Sequence, residues 1–245
     1  MAQQNGGIAG ARIAFHTIFG IPWIIVSTTI YAIMAILLSI FSRKAGMVIA
    51  RLWSRQLLAL CGVKVSIDGL DKIKHSSKFI IVSNHQSHLD IPVLMSVLSH
   101  IHLTFIAKKE LFLIPVFGWG VYMIGNVSID RSSARKGRVS LAKAAQRLQE
   151  EDISVVLFPE GTRSETGDIG GFKRGGFSLA IESGLTVVPV AIIGTRSVLS
   201  KKSYTIHPGR VAVRIGNPID VSGMGRGDKE MLMRNVREKI VEMSA

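Results

Sequence analysis

The sequence predicts an α/β protein: a mixed, largely parallel sheet flanked by helices, preceded by an N-terminal membrane-associated helical segment. Three observations predict it. Short apolar runs alternate with helix-length periodic stretches from residue 63 onward. A stretch without Asp, Glu, Lys or Arg extends from Ile13 to Ser42. No internal repeat or long linker breaks the remainder, so the 245 residues divide into membrane-anchoring helices (1–62) and an α/β domain (63–245).

Taken in order, residues 1–12 are small and polar and read as disordered. Pro22 suits the first turn of a helix. A helix from Pro22 to Ser42 spans about 31 Å, close to the roughly 30 Å hydrocarbon thickness of a bilayer. The run is too long for a secretory signal and is followed by no small-x-small cleavage site. Arg43, Lys44, Arg51 and Arg55 follow it, whereas only Arg12 precedes it. That asymmetry places the body of the protein on the cytoplasmic face of the inner membrane. Gly20 and Pro22 also permit a break, so a hairpin dipping into one leaflet fits the sequence as well as a span does.

Ala45 to Leu60 puts Ile49, Leu52, Trp53 and Leu57 on one face and Arg51, Ser54 and Arg55 on the other. With Pro22 and Trp23, that apolar face is expected to meet lipid. The alternative is an ordinary domain helix packed on the sheet. Strands are then expected at Lys64–Asp68, Phe79–Ser83, Leu103–Ala107, Ile153–Phe158, Thr186–Ile192 and Val211–Ile215. Helices are expected at Asp90–Leu98, Ala134–Glu150, Gly176–Ser183 and Lys229–Met243.

Composition narrows the partners. A formal charge of +13 with a pI near 10.2 and a mean hydropathy of +0.34 suits anionic membrane lipid better than nucleic acid. No helix-turn-helix, RNA-recognition or zinc-finger spacing is present. The seven histidines are scattered and the single cysteine, Cys61, sits among apolar residues, so no metal site is expected.

The stretch Asn84-His85-Gln86-Ser87-His88-Leu89-Asp90 lies between an expected strand and an expected helix, where α/β proteins build sites. An imidazole takes a proton from an alcohol near neutrality, and a carboxylate on its other nitrogen fixes the tautomer. His85 precedes the helix and can fold back on Asp90. His88 is two residues from Asp90, and on a helix that pair diverges. From these residues alone, a capping aspartate beside a surface histidine is equally open.

This stretch resembles the first motif (histidine, four residues, aspartate) of the glycerolipid acyltransferases, most closely the bacterial 1-acyl-glycerol-3-phosphate acyltransferases. Lys109–Gly118 and Gly125–Arg131 resemble the second motif, Phe158-Pro159-Glu160-Gly161-Thr162-Arg163-Ser164 the third, and Val188-Pro189-Val190 the fourth. Together they cover roughly residues 80 to 192. Ser128 stands where many members carry a bulky apolar residue.

The resemblance implies acyl transfer from a thioester, acyl-CoA or acyl carrier protein, to the 2-hydroxyl of lysophosphatidic acid. No cofactor is implied, and His85 and Asp90 are the catalytic pair. Arg163 offers phosphate a planar fork and Gly161 and Thr162 a turn of backbone amides. Glu160 is expected to orient Arg163 or to accept a hydrogen bond from the glycerol. Arg131, Lys108 and Lys109 are further candidates for the phosphate. Gly170–Gly176 offers close backbone approach at a helix start. Leu111, Phe112, Ile114, Phe117 and Trp119 are candidates for an acyl-chain slot, although core is the commoner reading of such a run. No Gly-x-Ser-x-Gly elbow is present, so a covalent serine intermediate is not expected, and Ser87 and Ser164 are left to local hydrogen bonds. The rival readings are transfer to glycerol 3-phosphate or another lysolipid, a serine hydrolase, and a non-catalytic membrane adaptor.

Overall fold

The computed structural model describes residues 13–73, 78–130 and 133–245, apart from the side chains of residues 134 and 138. Residues 1–12 and Arg131 therefore lie outside the described residues. Seven strands form one sheet: β1 (Lys64–Asp68), β2 (Ile80–Ser83), β3 (Leu103–Lys108), β4 (Val127–Ile129), β5 (Ser154–Leu157), β6 (Val187–Ile193) and β7 (Arg210–Ile215). Their order is β1-β7-β6-β2-β5-β3-β4. β6, β2, β5, β3 and β4 run parallel, while β7 pairs antiparallel with β6 and parallel with β1.

The helices are α1 (Gly20–Phe41), α2 (Arg43–Leu60), α3 (Asp90–Val97), α4 (Phe117–Met123), α5 (Ala134–Glu150), α6 (Arg174–Ser183), α7 (Thr195–Val198) and α8 (Lys229–Ser244). β2 and β5 are buried along their whole length and β6 nearly so, which is why they read as unbroken apolar runs. Alternate residues feed two cores. Ile81, Val156, Val188 and Val190 face a core shared with α2 and α3, whereas Ile80, Val82, Val155 and Val187 face one shared with α5, α6 and α8.

Three short elements depart from the expectation. β4 has only three residues, one of them Ser128, too few to show alternation. α4 contains Gly118 and Gly120, each a close-contact site. α7 is a single turn.

α1 and α2 pack as a pair through small residues, with Ala35 and Ser39 of α1 against Gly46 of α2. Among the described residues, Ile13–Phe41 is the one helical stretch long and apolar enough to cross a membrane. Pro22 and Trp23 are exposed, as a lipid-facing role needs. Ile49 and Leu57 are not: they turn inward and join the core with Val93 and Met95 of α3. The ordinary packing reading holds for them, because the buried stripe of α2 takes in Ile49 and Leu57 together with Met47, Ser54 and Leu58. Ser54 tolerates burial by donating to the Ala50 carbonyl at 2.8 Å. Leu52 remains exposed, and Trp53 is half-buried with its indole N–H donating to Thr28 Oγ1 at 3.0 Å. Cys61 is fully buried, and burial pushes its thiol up to about 11.

Candidate active site

The site grows from the carboxyl ends of three adjacent parallel strands. β2 delivers His85 and Asp90, β5 on one side delivers residues 158–163, and β6 on the other delivers Thr195. Asn84 locks the first junction: its amide donates to the Ile192 carbonyl at 2.8 Å, and its Oδ1 accepts from the Ile192 N–H at 2.8 Å. The chain after β2 thus leaves the sheet in one direction.

Asp90 is fully buried at the first turn of α3. Its Oδ2 lies 2.7 Å from His85 Nδ1 and accepts from the backbone N–H groups of Gln86 (2.7 Å) and Ser87 (2.9 Å). Its Oδ1 accepts from the Thr195 hydroxyl at 2.6 Å. A buried carboxylate with that many donors is held in one orientation. With Nδ1 turned to Asp90, the other ring nitrogen, Nε2, is left for the cavity that His85 lines. Phe158 stacks on the imidazole, with ring centroids 4.1 Å apart and planes 21° from parallel, fixing its second rotation.

The cavity has a volume of about 790 Å³. Its polar side carries His85, His88, Lys108, Gly161, Thr162, Arg163 and Lys173. Its apolar side includes Ile91, Phe105, Leu111, Ile114, Ile129 and Leu141. Arg163 Nη1 is buried and has no hydrogen-bond partner among the described residues. Burial lowers the Arg163 guanidinium from its ordinary value, and the Asp90 charge opposes that shift. His88 is exposed at the cavity, yet the desolvation it meets there and then Arg163 hold its imidazole down to about 4.

Several expected residues stand elsewhere. Glu160 is buried, outside the cavity wall, and forms no ion pair with Arg163 among the described residues. Its Oε1 accepts from the His85 N–H at 2.8 Å and its Oε2 from the Gly170 N–H at 3.0 Å. Each oxygen thus takes a backbone amide, and Glu160 braces two loops together. Lys109 is turned from the cavity and pairs with Asp130 at 3.1 Å. Of the five residues expected in a slot, Leu111 and Ile114 line the cavity; Phe112, Phe117 and Trp119 do not. Ser87 donates to the Leu199 carbonyl at 2.6 Å, and Ser164 accepts from the Gly167 N–H at 3.0 Å.

Thr195 and Lys173 escaped the sequence reading as individual residues. No local pattern signals Thr195, which meets Asp90 only because β6 and β2 are neighbours. Lys173 crosses the turn at Gly161, whose φ is +72°; a Cβ there would lie 2.8 Å from Lys173 Nζ.

An acyltransferase family model matches residues 64–193, the segment that contains every residue of the first three motifs. The chain belongs to the acyltransferase family. It is 37% identical over 205 residues to a chloroplast 1-acyl-sn-glycerol-3-phosphate acyltransferase of Arabidopsis thaliana, covering 82% of this chain and 55% of that one. It is 32% identical over 183 residues to the 1-acyl-sn-glycerol-3-phosphate acyltransferase of Haemophilus influenzae, covering 75% of each. The chain spans a little over half the length of the plant relatives it matches. The crystal structure of the 1-acyl-sn-glycerophosphate acyltransferase from Thermotoga maritima superposes with a TM-score of 0.80 at 26% identity, covering 96% of this acyltransferase and 97% of the other. That agreement extends to the N-terminal helices, which the family model leaves out.

Proposed function

We propose that this acyltransferase moves an acyl chain from acyl-CoA or acyl carrier protein to the 2-hydroxyl of 1-acyl-glycerol 3-phosphate, giving phosphatidic acid. One observation carries the proposal. A single cavity joins His85, its Nδ1 held 2.7 Å from Asp90, to Arg163, whose Nη1 is buried without a partner among the described residues.

The chemistry follows from that juxtaposition. His85 Nε2 takes the proton of the 2-hydroxyl while Asp90 stabilises the imidazolium that forms. The alkoxide oxygen bonds to the thioester carbon, the carbon–sulfur bond breaks, and the imidazolium returns its proton to the departing thiolate. A thioester is already activated, so direct transfer needs no acyl-enzyme. Arg163 takes the acceptor phosphate through a charge-assisted hydrogen bond from Nη1, with Lys108 and Lys173 as further cations at the same wall. The relatives' names support this acceptor. The exposed apolar face of α1 and the net charge of +13 support work at an anionic membrane, on its cytoplasmic side by the basic residues that follow the helix.

The test crosses acceptors with donors. Purified protein is given 1-acyl-glycerol 3-phosphate or glycerol 3-phosphate, each with acyl-CoA and with acyl carrier protein thioester. Phosphatidic acid from the first acceptor, with little transfer to the second, is expected. Preferential acylation of glycerol 3-phosphate would falsify the acceptor assignment. Trapping of a stable acyl-enzyme without acceptor would overturn direct transfer.

A further inference from the structure

From Leu111 to Tyr122 the chain carries no charge, yet it is not core. Leu113, Trp119 and Tyr122 are 76%, 57% and 68% exposed. Large apolar side chains gathered in water mark an interaction surface. Two backbone features show that this surface is built. Val116 has φ 62° and ψ −60°, and the Phe117 N–H donates across it to the Pro115 carbonyl at 2.7 Å. A γ-turn of that hand is strained, the more so on a β-branched residue, and it persists only where its surroundings impose it. Gly118 then presses on the preceding turn: a Cβ there would stand 2.6 Å from the carbonyl oxygens of Leu111 and Phe112. Within this folded-back loop Leu111 and Ile114 line the active-site cavity, while Leu113 and Trp119 are exposed and outside its wall.

The neighbour of this loop identifies what covers it. α4 lies on α1, where Gly120 approaches so closely that a Cβ would sit 3.4 Å from Ala32 Cβ. Residues 113–122 therefore adjoin α1, which exposes Ile25, Ile33 and Leu37. Exposed Lys108 stands at the same end of the cavity. Trp and Tyr favour the headgroup depth of a bilayer, and Lys favours its phosphates.

We propose that residues 113–122 form a membrane-contacting surface separate in sequence from the N-terminal helices, whose occupant is an anionic phospholipid bilayer. It is also the sill over which a lipid chain passes from the bilayer into the cavity past Ile114. The second part rests on the acceptor being a membrane lysolipid; the first does not.

The test uses the full chain with Trp23→Phe and Trp53→Phe, leaving Trp119 as the sole indole. Vesicles of phosphatidylcholine and phosphatidylglycerol carry bromine on the acyl chains. Quenching of Trp119 emission by roughly twofold, with a blue shift, is expected on vesicle binding. Unquenched Trp119, whether or not a companion retaining only Trp23 is quenched in the same vesicles, overturns the surface. For the sill, Leu113→Ser combined with Tyr122→Ser should cut transfer to vesicle-embedded lysophosphatidate by roughly tenfold or more. Transfer to a short-chain, monomeric acceptor should stay within about twofold of the parent. Equal losses on both acceptors overturn the sill. A parent inactive on either acceptor overturns the acceptor assignment and the sill with it, and the quenching result for the surface stands by itself.

Discussion

The loop after β2 and the pair α1–α2 are both embedded in apolar sequence, and they are fixed in place by different means. Around His85, position comes from hydrogen bonds that reach far along the chain: Glu160 to His85, Asn84 to Ile192, Thr195 to Asp90. Each joins buried polar groups whose loss leaves a partner unsatisfied. In α1, position comes from small residues against α2, and the opposite side is left apolar and exposed. The first region specifies individual atoms. The second specifies a surface and leaves its partner to the surroundings.

Breaking the first region should have the larger effects. His85→Ala should lower turnover by roughly 10² to 10⁴ while the fold persists, measured as kcat beside a thermal melt. Arg163→Gln should raise KM for the phosphorylated acceptor by roughly ten- to a hundredfold and leave the thioester constant near its parent value. A change confined to the thioester constant would remove the phosphate role. Thr195→Val leaves Asp90 Oδ1 without its 2.6 Å donor, and should cost about 1 to 3 kcal/mol in chemical denaturation. Thr195→Ser keeps the donor and should restore most of that loss.

Acid gives a subtler probe. His88 falls from its ordinary 6.5 to about 4 in the folded protein, so between those values the unfolded chain binds a proton that the native one does not. Stability therefore drops as pH is lowered through that window, and His88→Gln should flatten the decline. The smallest effect belongs to the second region. Trp23→Ser on exposed α1 should shift stability in detergent by no more than about 0.5 kcal/mol, while weakening vesicle binding in a sedimentation assay. A large loss in detergent would show that α1 is fixed by more than its small residues.

What was legible in the sequence follows the same division. The pairing of His85 with Asp90 is local, five residues along one chain, and the buried strands announce themselves as apolar runs. For Glu160, the near neighbour Arg163 suggests a partner and the glycerol an alternative one. The structure instead spends both its oxygens on amides 75 and 10 residues away. Thr195 gave no signal, since its role exists only through strand order. Ile49 and Leu57 share a helical face that suited either lipid or core, and periodicity cannot distinguish two apolar surroundings. Leu111–Tyr122 misled for a related reason. An apolar run reads as core, and nothing in its pattern separates Leu111 and Ile114, which face the cavity, from Leu113 and Trp119, which face outward.

The sealed thiol of Cys61 has a practical consequence. With its sulfur fully enclosed and its ionisation pushed up to about 11, it forms almost no thiolate at neutral pH and should ignore maleimides. The natural chain thus already serves as a labelling background. A cysteine introduced at an exposed position would be the single reactive handle for a fluorophore or spin label, and the distance from lipid could be followed without altering any other residue.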